Sequence, residues 1–167
     1  DASVMDIFGA LLNGACLCPL DIRSYEHPGE LLDLMGYTMA TKSANEQAGI
    51  SILHSTPTVF RFLMRHKVCR HDLSSVRLVV LGGEEARAND FALFKRHFAP
   101  PALFVNGLGP SESTLAAQFF ADHQTHLPGQ IVPVGRAVSE TDIVLLNEDG
   151  SRAGISGELA IRSCYVS

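Results

Sequence analysis

The sequence has few of the features that mark several large protein classes. Its four cysteines are too few and too unevenly placed for a disulfide scaffold, which favours reduced thiols and a cytoplasmic protein. No apolar run approaches the roughly 20 residues of a membrane span. Because the chain opens with Asp instead of a basic and apolar segment, we expect no secretory signal. A net charge of −5 without a Lys/Arg cluster argues against a nucleic-acid-binding surface. His66, Cys69 and His71 lack a convincing fourth partner for a structural zinc site.

What is present is a globular pattern, with 46% hydrophobic residues and alternating strand and helix signals. Buried strands are predicted at 15–19, 50–54 and 77–81, and a further short apolar run covers 103–105. Helices are predicted over 3–13, around 30–34, from Pro57, and across 84–98 with Glu84 and Glu85 in its first turn. Their expected core residues are Phe60, Leu63, Met64, Phe91, Phe94 and Phe98. This alternation predicts an α/β fold, with a mainly parallel sheet and helices on both faces.

The character of the chain changes after about residue 130. A strand at 141–146, a turn at 147–150 and a returning strand at 157–162 predict a β-hairpin. We therefore expect two parts: an α/β unit over 1–130, and the start of a β-rich unit over 131–167. Residues 33–49 are rich in small and polar side chains and have no assigned role.

The stretch 106–114, Asn-Gly-Leu-Gly-Pro-Ser-Glu-Ser-Thr, carries the most chemistry. Two glycines let the backbone approach a ligand closely, and Pro110 stiffens the turn. The Ser111 hydroxyl can bind a phosphate oxygen, while the Glu112 carboxylate is a hard oxygen ligand suited to Mg²⁺. The alternative is a merely polar connection between a strand and a helix.

This stretch closely resembles the Asn-x-Tyr-Gly-Pro-Thr-Glu-x-Thr signature of adenylate-forming enzymes, particularly the adenylation domains of nonribosomal peptide synthetases. Three further blocks are similar to that family and occur in the same order. They are Asp-Ala-Ser-Val-Met-Asp-Ile-Phe at 1–8, the strand and Gly-Gly-Glu at 76–84, and the pair Val-Gly-Arg at 134–136 with Gly-Glu-Leu-Ala-Ile at 157–161. The resemblance covers nearly the whole chain and implies a flavodoxin-like, doubly wound α/β subdomain.

The resemblance implies ATP-dependent formation of an aminoacyl adenylate, followed by transfer to a carrier-protein thiol. Glu112 matches the family's Mg²⁺ ligand, and Ser111 stands where Thr contacts the α-phosphate. Leu108 replaces the Tyr that stacks on adenine, which implies weaker nucleotide affinity. The nucleotide-binding positions implied are Gly83, Glu84, Asn106, Leu108, Gly109 and Ser111.

The resemblance also implies an amino-acid substrate. Asp1 matches the aspartate that pairs with the substrate's α-ammonium group, and burial would make that pair selective. The matching substrate-binding positions are Asp1, Ala2, Met5, His54, Val80, Gly82, Gly107, Leu115 and Ala116. Their apolar character predicts a medium or large, mostly apolar side chain, with His54 as a polar contact or as a structural histidine.

Three other functions are alternatives to amino-acid activation. A stand-alone binding module would bind amino acids without activating them. A hydrolase based on Ser111 is disfavoured, because Ser113 occupies the last glycine position of a nucleophile elbow. A related acyl- or aryl-CoA ligase is disfavoured by Asp1, since acid-activating relatives need no partner for an ammonium group.

The sequence lacks a glycine-rich Ser/Thr-Gly-Lys phosphate loop and a match to the family's catalytic lysine. The opening without an initiator Met favours a piece of a longer protein. We therefore predict that the purified 167-residue chain shows no amino-acid-dependent exchange of pyrophosphate into ATP above background. Appreciable exchange by the chain alone would contradict this.

Overall fold

A computed structural model describes residues 2–36, 49–68, 71–164 and 166; Asp1 and most of the unassigned stretch at 33–49 lie outside this description. The helices are α1 (Ala2–Leu11), α2 (Pro28–Gly36), α3 (Pro57–His66) and α4 (Ala88–His97), with a short 3-10 turn at Ile22–Ser24. The strands are β1 (Ile52–Ser55), β2 (Leu78–Leu81), β3 (Leu103–Leu108), β4 (Ala117–Ala121), β5 (Arg136–Ala137), β6 (Thr141–Leu146) and β7 (Glu158–Ser163).

The main sheet confirms the predicted α/β class. Strands β1 to β5 lie side by side in chain order; β1, β2 and β3 pair in parallel, and β4 and β5 add antiparallel pairs at one edge. Because parallel crossovers are right-handed, this order places α3 and α4 on one face, where they contact each other. Helix α1 reaches the opposite face through Asp6, whose carboxylate contacts His54.

The start of α3 follows from its local sequence. The Thr56 hydroxyl accepts a hydrogen bond from the backbone N–H of Val59, and Pro57 occupies the first turn, where its missing N–H costs nothing. Phe60, Leu63 and Met64 are buried on one side, as their helical spacing predicts.

The core lies between these helices and one face of the sheet. Val79 and Leu81 of β2 are buried there, whereas Val80 between them faces the other way. The Phe94 ring of α4 packs against Phe104 of β3 with ring centroids 5.5 Å apart. The predicted burial of Phe91, Phe94 and Phe98 is confirmed.

Of two predictions near the chain start, one is wrong and one is confirmed. Residues 15–19 form an irregular, exposed segment instead of the predicted strand, because none of the strands among the described residues pairs with them. The predicted helix at 3–13 is present as α1, yet Phe8 is 56% exposed and Leu12 80% exposed. Within the described residues, the helical spacing is correct but the apolar side of α1 is not covered.

Two element boundaries also differ from the prediction. Helix α4 begins at Ala88, so Glu84 and Glu85 precede it instead of lying in its first turn. Strand β3 continues through Asn106 and Gly107 to Leu108, because each of these residues has a partner in β4. The chain therefore turns only after Leu108, and the turn joins two strands, not a strand and a helix.

The predicted hairpin is present as β6 and β7, which pair over six residues and are separate from the main sheet. Strand β5 at 136–137, however, pairs with β4 of the main sheet. A division of the chain at residue 130 stays a prediction. In the described part of the chain, no helix has the length and apolar character to cross a bilayer.

A buried ion pair ties α3 to α4. The Asp90 carboxylate, which is fully buried, accepts hydrogen bonds from Arg61 Nε at 2.6 Å and Nη2 at 3.0 Å. It also accepts one from the backbone N–H of Arg87 at 2.8 Å, at the start of α4. Hydrogen bonding to this carboxylate raises the pKa of Arg61 above its usual value.

We predict that Asp90→Ala lowers the free energy of unfolding by about 3 kcal/mol, because it removes the partner of a partly buried guanidinium and a helix-capping acceptor. The matched control is Asp142→Ala, which breaks the pair with Arg162, whose side chains are 60% and 73% exposed. It should cost less than about 1 kcal/mol. Urea-induced unfolding measures both, and equal losses would contradict the prediction.

Candidate functional site

The ends of the three parallel strands enclose a cleft of about 300 Å³, here called the strand-end cleft. Ligands of open α/β sheets gather at this position, because the carboxyl ends of parallel strands open toward one edge. Its lining residues come from α1, the strand ends and the turn after β3: Met5, Asp6, His54, Ser55, Thr56, Val80, Leu81, Gly82, Gly83, Gly107, Gly109, Pro110, Ser111, Thr114 and Leu115.

Nine residues singled out from the sequence lie together in this cleft. Six are from the predicted substrate set: Met5, His54, Val80, Gly82, Gly107 and Leu115. Three are from the predicted nucleotide set: Gly83, Gly109 and Ser111. Positions more than 100 residues apart in the chain thus share one cavity, and the two sets adjoin.

The other predicted substrate positions are placed differently. Asp1 lies outside the described residues, and Ala2 begins α1 with its side chain outside the description. Ala116 is fully buried, and its backbone N–H donates to the carbonyl of Leu108 at 2.7 Å. Ala116 therefore supports the turn from behind.

Three predicted nucleotide or metal positions do not line the cleft. The buried Asn106 side chain donates from Nδ2 to the carbonyl oxygens of Val132, at 3.3 Å, and Pro133, at 3.0 Å. Strand alternation puts Leu108 on the same sheet face as Asn106. Glu112 is exposed, next to Ser111 on the turn.

Glu84 does not line the cleft either, and it caps α3. Its Oε2 accepts hydrogen bonds from the Thr58 hydroxyl at 2.5 Å and from the Thr58 backbone N–H at 3.1 Å. The Thr58 hydroxyl, followed by that backbone group, holds the pKa of Glu84 below its usual value. The carboxylate thus stays ionised at the positive end of the α3 dipole.

Two tight backbone conformations shape the cleft wall. Gly83 has φ +78°, a left-handed conformation that side chains disfavour. A Cβ at Gly109 would collide with the carbonyl oxygen of Thr114. Thr114 itself has a left-handed backbone, with φ 58°. The turn from Gly109 to Thr114 closes on its own backbone, and only a glycine fits at 109.

The glycines on the cleft face differ in the space beside them. A Cβ at Gly82 would lie 3.4 Å from the carbonyl oxygen of Gly107 and 4.0 Å from His54 Nε2, which is ordinary contact. A Cβ at Gly107 would lie 3.1 Å from Leu115 Cδ1. Leu115 therefore already fills the space over Gly107, whereas the space beside Gly82 remains available.

Sequence reasoning missed several residues of the cleft, chiefly Asp6, Thr56 and Thr114. Asp6 Oδ1 lies 2.6 Å from Nδ1 of His54, a contact across 48 positions of sequence. Asp6 belongs to the block at 1–8 that resembles the family, but nothing in that block indicates its partner. Thr114 had no sequence signal for its left-handed backbone.

Among the described residues, no three His, Cys, Asp or Glu side chains converge as a metal site. A protein cage for a metal is therefore absent from that part of the chain. A single carboxylate such as Glu112 remains compatible with Mg²⁺, which commonly uses one or two carboxylates together with substrate phosphates and water.

Comparison with known proteins identifies the family of this chain. A model of the family described as AMP-binding enzyme matches residues 1–167. Malpibaldin synthetase of Mortierella alpina is 30% identical over 171 residues, which are 99% of this chain and 3% of that protein. D-alanine--D-alanyl carrier protein ligase of Bacillus licheniformis is 29% identical, over 100% of this chain and 32% of the relative.

A solved structure of an NRPS protein containing adenylation and PCP domains, bound to a vinylsulfonamide inhibitor, superposes with a TM-score of 0.74. The two sequences are 27% identical, and the superposition covers 99% of this chain and 27% of the solved chain. The chain belongs to the AMP-binding enzyme family. It corresponds to part of an adenylation domain of the kind found in nonribosomal peptide synthetases, as the sequence motifs predicted.

We predict that Gly83→Ala lowers the free energy of unfolding by about 1 kcal/mol, since Ala resists the left-handed backbone there. The nearest atom to an added Cβ, Thr56 Cγ2, lies at an ordinary 3.8 Å, so the cost comes from the backbone. The control Gly9→Ala lies within α1 with nothing near its Cβ and should stabilise by roughly 0.5–1 kcal/mol. Thermal or urea unfolding measures the stability of both variants. A Gly83→Ala protein that is more stable than the wild type would contradict the predicted backbone strain at residue 83.

Proposed function

We propose that the strand-end cleft binds an amino acid and the phosphate end of ATP in an amino-acid-activating protein. The observation that carries the proposal is the shared lining: apolar Met5, Val80 and Leu115 adjoin the hydroxyl of Ser111 in one cavity. The chain spans 3% to 32% of the relatives described above, so the activity is that of the longer protein.

The proposed reaction joins the amino-acid carboxylate to the α-phosphorus of ATP. A carboxylate oxygen forms the new bond, the bond to pyrophosphate breaks, and the products are aminoacyl-AMP and pyrophosphate. This chemistry needs alignment and charge neutralisation more than a protein nucleophile. The residues of this chain supply alignment: the glycine turns admit the ligand close to backbone, and Ser111 donates to a phosphate oxygen.

For the nucleotide, the proposal assigns the backbone at Gly83 and Gly109 and the Ser111 hydroxyl. Asn106, Leu108 and Glu84 contribute through the backbone they hold in place, since Asn106 Nδ2 and the Glu84 carboxylate are engaged elsewhere. Mg²⁺ would be held by Glu112 and would neutralise phosphate charge. An exposed carboxylate one residue from the proposed phosphate donor fits that ion.

For the substrate, the proposal assigns a medium or large, mostly apolar side chain to the cleft. Met5, Val80 and Leu115 form apolar walls, and Gly82 leaves space between strands. Asp1 is proposed to pair with the α-ammonium group. Ala2 and Ala116 complete the set as small residues, with Ala116 packed behind the wall.

The longer protein is proposed to act in the cytoplasm and to deliver its acyl group to a carrier-protein thiol. Relatives support the carrier: one is named a D-alanyl carrier protein ligase, and a solved neighbour contains a PCP domain. Within the described residues, Cys16, Cys18 and Cys164 are free, which suits a reducing compartment.

We predict that Ser111→Ala in the full natural protein lowers amino-acid-dependent pyrophosphate exchange roughly tenfold or more, because a hydrogen bond to charged phosphate is worth about 1.5–3 kcal/mol. At limiting Mg²⁺, Glu112→Gln should lower exchange more than Ser111→Ala does. Its exchange rate should recover partly as the Mg²⁺ concentration rises. Glu148→Gln, an exposed residue of the 147–150 turn, is the matched control and should leave exchange unchanged. Insensitivity of exchange to both Ser111→Ala and Glu112→Gln would refute the proposed site.

A further inference from the structure

Asp6 and His54 form a pair inside the strand-end cleft that the proposed chemistry leaves unused. Asp6 projects from α1, His54 from β1, and Oδ1 lies 2.6 Å from Nδ1. The side chains are 39% and 17% exposed respectively, so the pair is partly shielded from water. Both residues line the cleft.

The second ring nitrogen of His54 faces the available space. A Cβ built at Gly82 would lie 4.0 Å from Nε2, and Gly82 is the position where the sheet surface leaves room. One nitrogen is therefore occupied by Asp6, and the other is directed to the region proposed for the substrate side chain.

The carboxylate determines what that second nitrogen can do. An ionised carboxylate only accepts hydrogen bonds, so the proton of a neutral imidazole resides on Nδ1, facing Asp6. Nε2 then accepts a hydrogen bond, and it donates one whenever the ring is protonated. A hydroxyl group can serve as the partner in both states, since it donates and accepts.

We propose that Asp6 is a positioning residue that fixes the ring and tautomer of His54, so that Nε2 recognises a hydroxyl group on the substrate side chain. This inference rests on the proposed function and narrows the substrate to a largely apolar amino acid that bears a hydroxyl. The apolar walls accommodate its carbon skeleton, and the Asp6–His54 pair supplies the polar contact.

A purely structural role would be different. If the pair only fastened α1 to the sheet, its loss would change stability and leave substrate preference untouched. If a bound substrate shields His54 Nε2 from water, an analogue without a hydroxyl leaves that nitrogen without a hydrogen bond, which costs free energy in that complex. Preference within pairs of amino acids that differ by one hydroxyl therefore separates the two roles.

The first experiment measures pyrophosphate exchange by the full natural protein with tyrosine against phenylalanine, threonine against valine, and serine against alanine. In the pair that supports the fastest exchange, we expect kcat/KM for the hydroxylated amino acid to be at least tenfold higher than for its partner. His54→Leu should bring that ratio close to one. Asp6→Asn should reduce it mainly by raising KM for the hydroxylated member, and Asp6→Glu should restore part of it.

Asp142→Asn is the matched control, because it makes the same chemical change at an exposed side chain of β6 and should leave the ratio unchanged. Absence of exchange with every amino acid would count against the proposed function itself. Two results would overturn this inference and leave the proposed function intact. One is exchange that shows no preference for the hydroxylated amino acid, and the other is a preference that persists in both His54→Leu and Asp6→Asn.

The second experiment does not depend on activity. Nitrogen-15 NMR of histidine-labelled full protein reports which ring nitrogen carries the proton. We expect His54 to be protonated on Nδ1 in the wild-type protein and to lose that bias in Asp6→Asn. A neutral ring protonated on Nε2 in the wild type would overturn the proposal even if the variants failed to fold.

Discussion

The parallel hydrogen-bonded register of β1, β2 and β3 is the constraint on which the cleft depends. It aligns His54 with Val80, and Val80 with Val105, so that the ends of β1 and β2 lie side by side next to β3. The backbone N–H of Gly82 still donates to Ser55 at 3.3 Å, which keeps the first two strand ends together beyond the last paired residues. Slipping one strand by one residue would send His54 or Val80 to the helix face and remove the cleft.

The two faces of the sheet divide stability from recognition. On one face, α3 and α4 bury Val79, Leu81 and Phe104 and are linked by the Arg61–Asp90 pair. On the other face, half-buried His54 and Val80 border open space. Side-chain alternation along each strand allows both functions within four residues, because neighbours in sequence point in opposite directions.

Periodicity and turn chemistry predicted the local parts of this arrangement well. The helical spacing of Phe60, Leu63 and Met64, and the glycines that follow β2, were readable from sequence. Features that depend on a distant partner were not readable in this way. Residues 15–19 are apolar enough for a strand, but no strand in the described part of the chain pairs with them. Glu84 caps a helix 26 positions upstream. The Asp6–His54 contact escaped for the same reason.

The contact between Leu115 and Gly107 makes the depth of the cleft adjustable from one side. Leu115 Cδ1 lies 3.1 Å from the position that a Cβ at residue 107 would take, so this side chain forms the wall of the cleft next to Gly107. Shortening residue 115 deepens the recess without disturbing any strand, whereas enlarging residue 107 would force that wall to move. Adapting the cleft to bulkier ligands is therefore simplest at residue 115, which lies between β3 and β4 and takes part in no sheet hydrogen bonds.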